Sequence, residues 1–252
     1  MNRTAFRRIA LGVVAVPLSL ALVACGSKEE GNAAASGEAI AKITPPAGKN
    51  WTEMVEKTPE GGYRVGNPDA PIKFVEYGAL SCSHCADFSK QSSAEMMNDF
   101  VASGRVSFEL RLFMLNALDM PAALLVTCGP AETVPTLAKQ FWGWQDTMFE
   151  NLKKAGDARL QAISNQPPPA QFVALAGATG MDEFVKARGI SADQAASCLA
   201  DSNKATELAN QTQRASKEDE ITGTPSFLIN GQKAETNSWP ELKAKLQALG
   251  AR

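Results

Sequence analysis

Apolar residues follow several rhythms along this chain, and each predicts a different element. Ile72 to Tyr77 is a short β-branched and aromatic run, entered through Asn67-Pro68-Asp69-Ala70-Pro71; it predicts a buried strand. From Cys82 the spacing changes to that of a helix. Phe88, Met96 and Phe100 fall on one stripe with Met97 and Val101 beside it, and Gly104 is a stop signal. Arg105 to Phe113 then alternates Val106, Phe108, Leu110 and Leu112 with polar residues, the pattern of a second strand. From about 117 to 217 no strand pattern appears. Helical pieces are separated by Gly129-Pro130, Gly156, Pro167-Pro168-Pro169, Gly180 and Gly189, and Ser191 with Gln194 has the form of a capping box. Ser226 to Ile229 predicts a third strand, Asn230-Gly231 a hairpin turn, and Ser238 the start of a last helix carrying Leu242, Leu246 and Leu249.

The N-terminus follows a different rule. Arg3, Arg7 and Arg8 precede an apolar stretch from Ile9 to Val23, too short for a comfortable membrane span. It ends in Leu22-Val23-Ala24-Cys25-Gly26, which resembles a bacterial lipobox. That resemblance implies a signal peptide over 1–24, lipidation at Cys25 and a body on the periplasmic side of a bacterial membrane, with Gly26 favouring the outer membrane. The segment from Cys25 to Asn50 is rich in Ala, Gly, Ser, Glu and Lys. It is expected to be a flexible tether, leaving one domain over 51–252.

Charge and composition exclude several classes. Without the three leader arginines, 22 basic residues face 27 acidic ones, with no basic patch and no aromatic-basic interleaving; nucleic acid is not an expected partner. There is no internal repeat and no glycine-rich phosphate loop. Metal binding finds no second close cysteine pair, and no metal or cofactor is expected.

The chemistry centres on Cys82-Ser83-His84-Cys85, which brackets the only histidine of the chain. Two thiols at this spacing can open and close a disulfide with little backbone movement. A thiolate is the attacking species in exchange, and a helix N-terminus or a neighbouring histidine favours it. Glu76 shares a strand face with Ile72 and Phe74, so a partly buried carboxyl able to relay a proton to Cys85 is expected there. Arg111 on the next strand is a candidate counter-ion. Cys128 and Cys198 both fall in the helical stretch. Outside the cytoplasm they are expected to pair; two free buried thiols are the alternative. Phe141, Trp142, Trp144 and Phe149 are expected in the core of that stretch.

Strand, CxxC at a helix start, helix, strand, helical insertion, Thr224-Pro225 ahead of a hairpin and a closing helix together resemble the DsbA-like thiol:disulfide oxidoreductases. Those proteins have an α/β thioredoxin fold with a helical insertion domain, here over about 117–217. The resemblance covers most of Tyr63 to Gly250. It implies Cys82 as the exposed nucleophile and Cys85 as the buried partner thiol. It implies that His84 stabilises the thiolate and that Glu76 is the acid beneath the pair. It also implies a cis bond at Pro225, which turns the Thr224 backbone toward Cys82 to pair with a substrate strand. Ser83 stands where proline is usual in the oxidising members. The implied partners are exported proteins with free thiols or disulfides and a quinone-linked membrane redox protein, with the enzyme itself monomeric. Disulfide donation is the leading expectation. A reductase or isomerase, or a redox-inactive binding lipoprotein that keeps the fold, are the alternatives. Reshuffling enzymes are dimers built on an added N-terminal domain, for which the short tether leaves no room.

Overall fold

A computed structural model describes residues 37–252. The expected signal peptide over 1–24 and the lipidation at Cys25 lie outside the described residues, as does the first part of the expected tether.

The central unit is β3 (Ile72–Gly78), α1 (Ser83–Glu95) and β4 (Val106–Leu112). The two strands run parallel in the register Ile72↔Val106 to Gly78↔Leu112, with α1 as the crossover. Met96–Val101 extends α1 in a π-helical turn before Gly104 takes a positive φ of 72° and ends it. A second glycine-dependent reversal is the turn at Asn230 and Gly231 (φ 51° and 79°), where β5 (Ser226–Ile229) folds back as β6 (Gln232–Lys233). Two strands of three residues each, β1 (Val55–Lys57) and β2 (Tyr63–Val65), complete a sheet of order β1-β2-β4-β3-β5-β6. They escape sequence analysis because three residues carry too little alternation to register.

Alternation sorts the residues of β3 onto two faces. Ile72 and Phe74 pack with Phe88 of α1, Phe227 of β5 and Leu242 and Leu246 of α9 (Trp239–Ala248). The Phe227 ring lies 4.4 Å from Phe88 and 5.4 Å from Phe74. Val75 and Tyr77 face the opposite way, toward Ala215 of α8 (Ser202–Glu218) and Ile221. The expected stripe on α9 ends early: Leu249 is the C-cap and is 44% exposed.

The helical stretch is α2 (Asp119–Val126), α3 (Val134–Ala155), α4 (Asp157–Ser164), α5 (Pro168–Thr179), α6 (Met181–Lys186) and α7 (Ala192–Leu199), leading into α8. Ala122 to Val126 are each no more than 1% exposed, so α2 is apolar on every side and sits at the centre of the insertion. Phe141 is fully buried against Trp144 and Phe184. At α7, Ser191 Oγ accepts from the Gln194 N–H, but the Gln194 amide donates to Cys128 O instead of closing a capping box. Cys128 and Cys198 form a disulfide across a sequence separation of 70.

The expected domain start at Trp51 is corrected. Gly37 N–H donates to Ala248 O, Ile40 N–H to Gly250 O and Ile43 N–H to Ser103 O. The Trp51 indole and the buried Arg105 guanidinium take the carbonyls of Ile43 and Ile40. Backbone hydrogen bonds of this kind carry no side-chain pattern, so a polar composition concealed them.

Replacing both Cys128 and Cys198 with alanine is expected to lower stability by about 4 kcal/mol, from the loop entropy returned to the unfolded chain. Urea unfolding with the Cys82–Cys85 pair kept oxidised measures the difference.

Candidate active site

Cys82 is the N-cap of α1, with extended backbone (φ −84°, ψ 115°). Its sulfur accepts the Cys85 N–H at 3.2 Å, one of the donors a helix start leaves unpaired. Its thiol donates to Thr224 O at 3.3 Å. The Thr224–Pro225 bond is cis. When Cys82 ionises, the Cys85 thiol is the largest stabilising donor, joined by the Thr224 hydroxyl and the backbone N–H groups of Cys85 and His84. Burial opposes them, and the balance brings the pKa down to about 6. Among the described residues the buried Thr224 hydroxyl has no hydrogen-bond partner, which leaves it free to turn to this sulfur when it ionises.

Two expectations are modified here. Cys82 is 6% exposed, not openly presented, because Thr224 lies across it; Cys85 is at 0%. The His84 imidazole is exposed, and no described hydrogen bond joins it to the Cys82 sulfur, so the donor from His84 is its backbone. Burial pushes the Cys85 thiol strongly up, and the Glu76 charge adds to the effect. The two thiols are therefore driven in opposite directions.

Glu76 is 2% exposed on the α1 face of β3, between Leu110 of β4 and Phe227 of β5. Desolvation, with a smaller contribution from the Cys82 charge, raises its carboxyl from 4.5 to about 8. Arg111 is not its counter-ion. Arg111 is paired with Tyr77 in the strand register, so it projects to the other face. There it donates to Glu109 Oε1 at 2.7 Å and to the Tyr77 hydroxyl at 2.9 Å, within 3.6 Å of Asp219.

The structure adds residues that sequence analysis missed. Each of the three residues before Cys82 is held by a side chain of the insertion. The Trp142 indole donates to Ala79 O at 2.9 Å, and the Gln145 amide donates to Leu80 O at 2.7 Å. Asp119 accepts from Ser81 N–H at 2.8 Å and from the Ser81 hydroxyl at 3.0 Å. The same carboxylate accepts from the N–H groups of Leu115 and Asn116 at the start of α2. Trp142 also lies over Gly78, where a Cβ would stand 3.0 Å from its ring. The only available signal was a buried-type tryptophan and glutamine three apart on one helix face, which does not say what they meet.

A parallel β–α–β unit, a dithiol whose first sulfur caps the helix, and a cis-proline beside it define a thioredoxin-fold dithiol site. The family model described as Thioredoxin matches residues 58–248, and the chain belongs to that family. A Rickettsia bellii protein named as a protein-disulfide oxidoreductase is 23% identical over 190 residues, 75% of this chain and 65% of that protein. A Rickettsia prowazekii counterpart is 24% identical over 188 residues and is covered to 61%, so the chain spans less than two thirds of the length of these relatives. Among solved structures, a protein-disulfide isomerase from Novosphingobium aromaticivorans is 28% identical, with a TM-score of 0.68 over 73% of this chain and 96% of that one. Wolbachia pipientis alpha-DsbA1, 19% identical, shares the fold with a TM-score of 0.60 over 77% of this chain and 92% of that one. The fold is thus the DsbA-like form of the thioredoxin fold, with the helical insertion between β4 and β5.

Two outcomes follow. Gln145→Leu leaves Leu80 O buried without a donor and is expected to cost about 1–3 kcal/mol in urea unfolding. For Glu76 the unfolded chain releases a proton above pH 4.5 that the folded chain keeps until about 8, so stability falls as pH rises across that window. Glu76→Leu should therefore stabilise the oxidised protein by on the order of 2–4 kcal/mol at pH 8, with little gain near pH 4, in melts at the two pH values.

Proposed function

We propose that this protein is an extracytoplasmic thiol:disulfide oxidoreductase that donates the Cys82–Cys85 disulfide to exported proteins. The observation that carries the reading is the asymmetry of the pair. Cys82 is lowered to about 6 by donors at the start of α1, while burial raises Cys85. A stabilised thiolate favours the reduced form and makes the disulfide the stronger oxidant. In the proposed cycle a substrate thiolate attacks Cys82 Sγ, the S–S bond breaks, and the electron pair leaves on Cys85 Sγ, which takes a proton. A second substrate thiolate then attacks the substrate sulfur of the mixed disulfide and releases Cys82 as the thiolate. Glu76 is the proposed proton source and acceptor for Cys85. Thr224 and Pro225 are proposed to receive the substrate strand, since the Thr224 carbonyl already faces Cys82.

The lipidated Cys25, the outer-membrane anchor, the monomeric state and a quinone-linked membrane protein that restores the disulfide belong to the same proposal. They rest on the lipobox-like segment and on the need of any disulfide donor for an electron acceptor. A reductase or isomerase is the second reading, favoured by the name of the Novosphingobium neighbour.

The reduction potential separates the two. Equilibration of the pair with glutathione is expected to give a value nearer about −120 mV than about −270 mV, and a thioredoxin-like value would overturn donation. Alkylation of the reduced protein should show a Cys82 midpoint near pH 6. Because this folded-state value lies below that of a free thiol at 9.0, the reduced form loses the thiolate's stabilisation as pH falls through about 6; the oxidised form lacks this dependence. Cys82→Ser should abolish insulin reduction.

A further inference from the structure

Between α8 and β5 the chain runs from Asp219 to Pro225, and this short segment holds Thr224 against Cys82. It lies outside helix and strand, so its shape depends on what holds its ends. One residue of β3 meets both. The backbone of Tyr77 stands in register with Ser226 at the start of β5, and its hydroxyl donates to the Asp219 carboxylate at the end of α8. The same hydroxyl accepts from Arg111 at 2.9 Å. Arg111 is held in turn by Glu109, which accepts from it at 2.7 Å and from the Thr58 hydroxyl at 2.8 Å. Burial, and after it the bond to Asp219, pushes the Tyr77 hydroxyl up to about 12, so it keeps the proton it donates.

The segment is also pinned between its ends. Ile221 is fully buried in one cluster with Val75, Tyr77 and Leu228, and its N–H shares Ala215 O with that of Asp219. Glu220, between them, has a positive φ of 53°, a conformation that a non-glycine residue keeps only where its neighbours hold it. Tyr77, Arg111 and Asp219 lie on the α8 side of the sheet, opposite Glu76, and no described hydrogen bond joins them to either sulfur.

We propose that the Tyr77–Asp219 bond positions Thr224: it ties the end of α8 to the strand that pairs with Ser226, and so fixes the span across which Thr224 is held against Cys82. The inference rests on the thiol–disulfide reading of Cys82 and Cys85, and adds to it the source of the alignment of Thr224. Thr224 meets the sulfur twice. Its carbonyl accepts from the thiol, and its hydroxyl is a donor to the thiolate. Both follow the backbone of the segment, and a hydrogen bond weakens steeply once its angle is lost. Tyr77 and Asp219 are thus positioning residues, acting through Thr224.

Tyr77→Phe removes the hydroxyl and keeps the buried ring. Asp219→Ala removes the acceptor from a half-buried position, and makes the same test should Tyr77→Phe not fold. Thr58→Val is the control, because it breaks a buried hydrogen bond at the far end of the same network without touching the Thr224 segment. The reduced full chain would be alkylated at Cys82 as a function of pH, and the dithiol pair equilibrated with glutathione. In Tyr77→Phe and Asp219→Ala the thiolate fraction below the midpoint should fall roughly threefold, as for the partial loss of one hydrogen-bond donor. The equilibrium with glutathione should move toward the disulfide by about the same factor, since the reduced form loses that stabilisation. Thr58→Val should lower stability and match the wild type in both measurements. Folded Tyr77→Phe and Asp219→Ala proteins with the wild-type midpoint would overturn the proposal. So would an equal shift in Thr58→Val, which would make the effect one of general stability. The alkylation midpoint needs no substrate. It decides the role of Tyr77 even if the wild-type chain fails to reduce insulin, a result that would count against the thiol–disulfide reading alone.

Discussion

The sulfur of Cys82 is held by hydrogen bonds from the first turn of α1, and that arrangement lasts only while the loop before it stays still. A helix start offers unpaired N–H groups to whatever sits at the N-cap, but their aim depends on the N-cap backbone. Here Ala79, Leu80 and Ser81 are each tied by a side chain of the helical insertion: Trp142, Gln145 and Asp119. Asp119 does this while capping the chain at the entry to α2, so one buried carboxylate joins the redox loop to the core of the insertion. The insertion is in this sense part of the candidate site, although neither thiol of the pair belongs to it.

Burial and hydrogen bonding then act on neighbouring groups with opposite sign. Cys85 and Glu76 are raised because little around them replaces water. Cys82, nearly as buried, is lowered because donors converge on it. The sheet keeps these effects apart from its other face. Tyr77, Arg111, Glu109 and Asp219 are joined by ion pairs and hydrogen bonds on the α8 side of β3 and β4, and strand alternation prevents Arg111 from reaching Glu76. An arginine beside Glu76 would favour the carboxylate and remove the neutral acid on which the proposed proton transfer depends.

What the sequence by itself determined is the part governed by local rules. Period-two and helical spacing placed β3, α1, β4, β5 and α9 in order. Asn230-Gly231 marked its hairpin, and the CxxC pair with Thr224-Pro225 marked the candidate dithiol site. Alternation alone also put Glu76 on the buried face with Ile72 and Phe74. Short pairings and backbone-only contacts were not legible. β1 and β2 exist because the edge of β4 accepts them, and residues from Gly37 onward join the body through main-chain bonds. Tertiary structure alone decided which face Arg111 takes, that Thr224 shields Cys82, that Trp142, Gln145 and Asp119 hold the redox loop, and that Tyr77 meets both ends of the segment carrying Thr224. Each of these joins residues distant in sequence or turns on a three-dimensional register. A spacing rule fixes the direction of a side chain relative to its own element, but the partner it meets is set only when the elements pack.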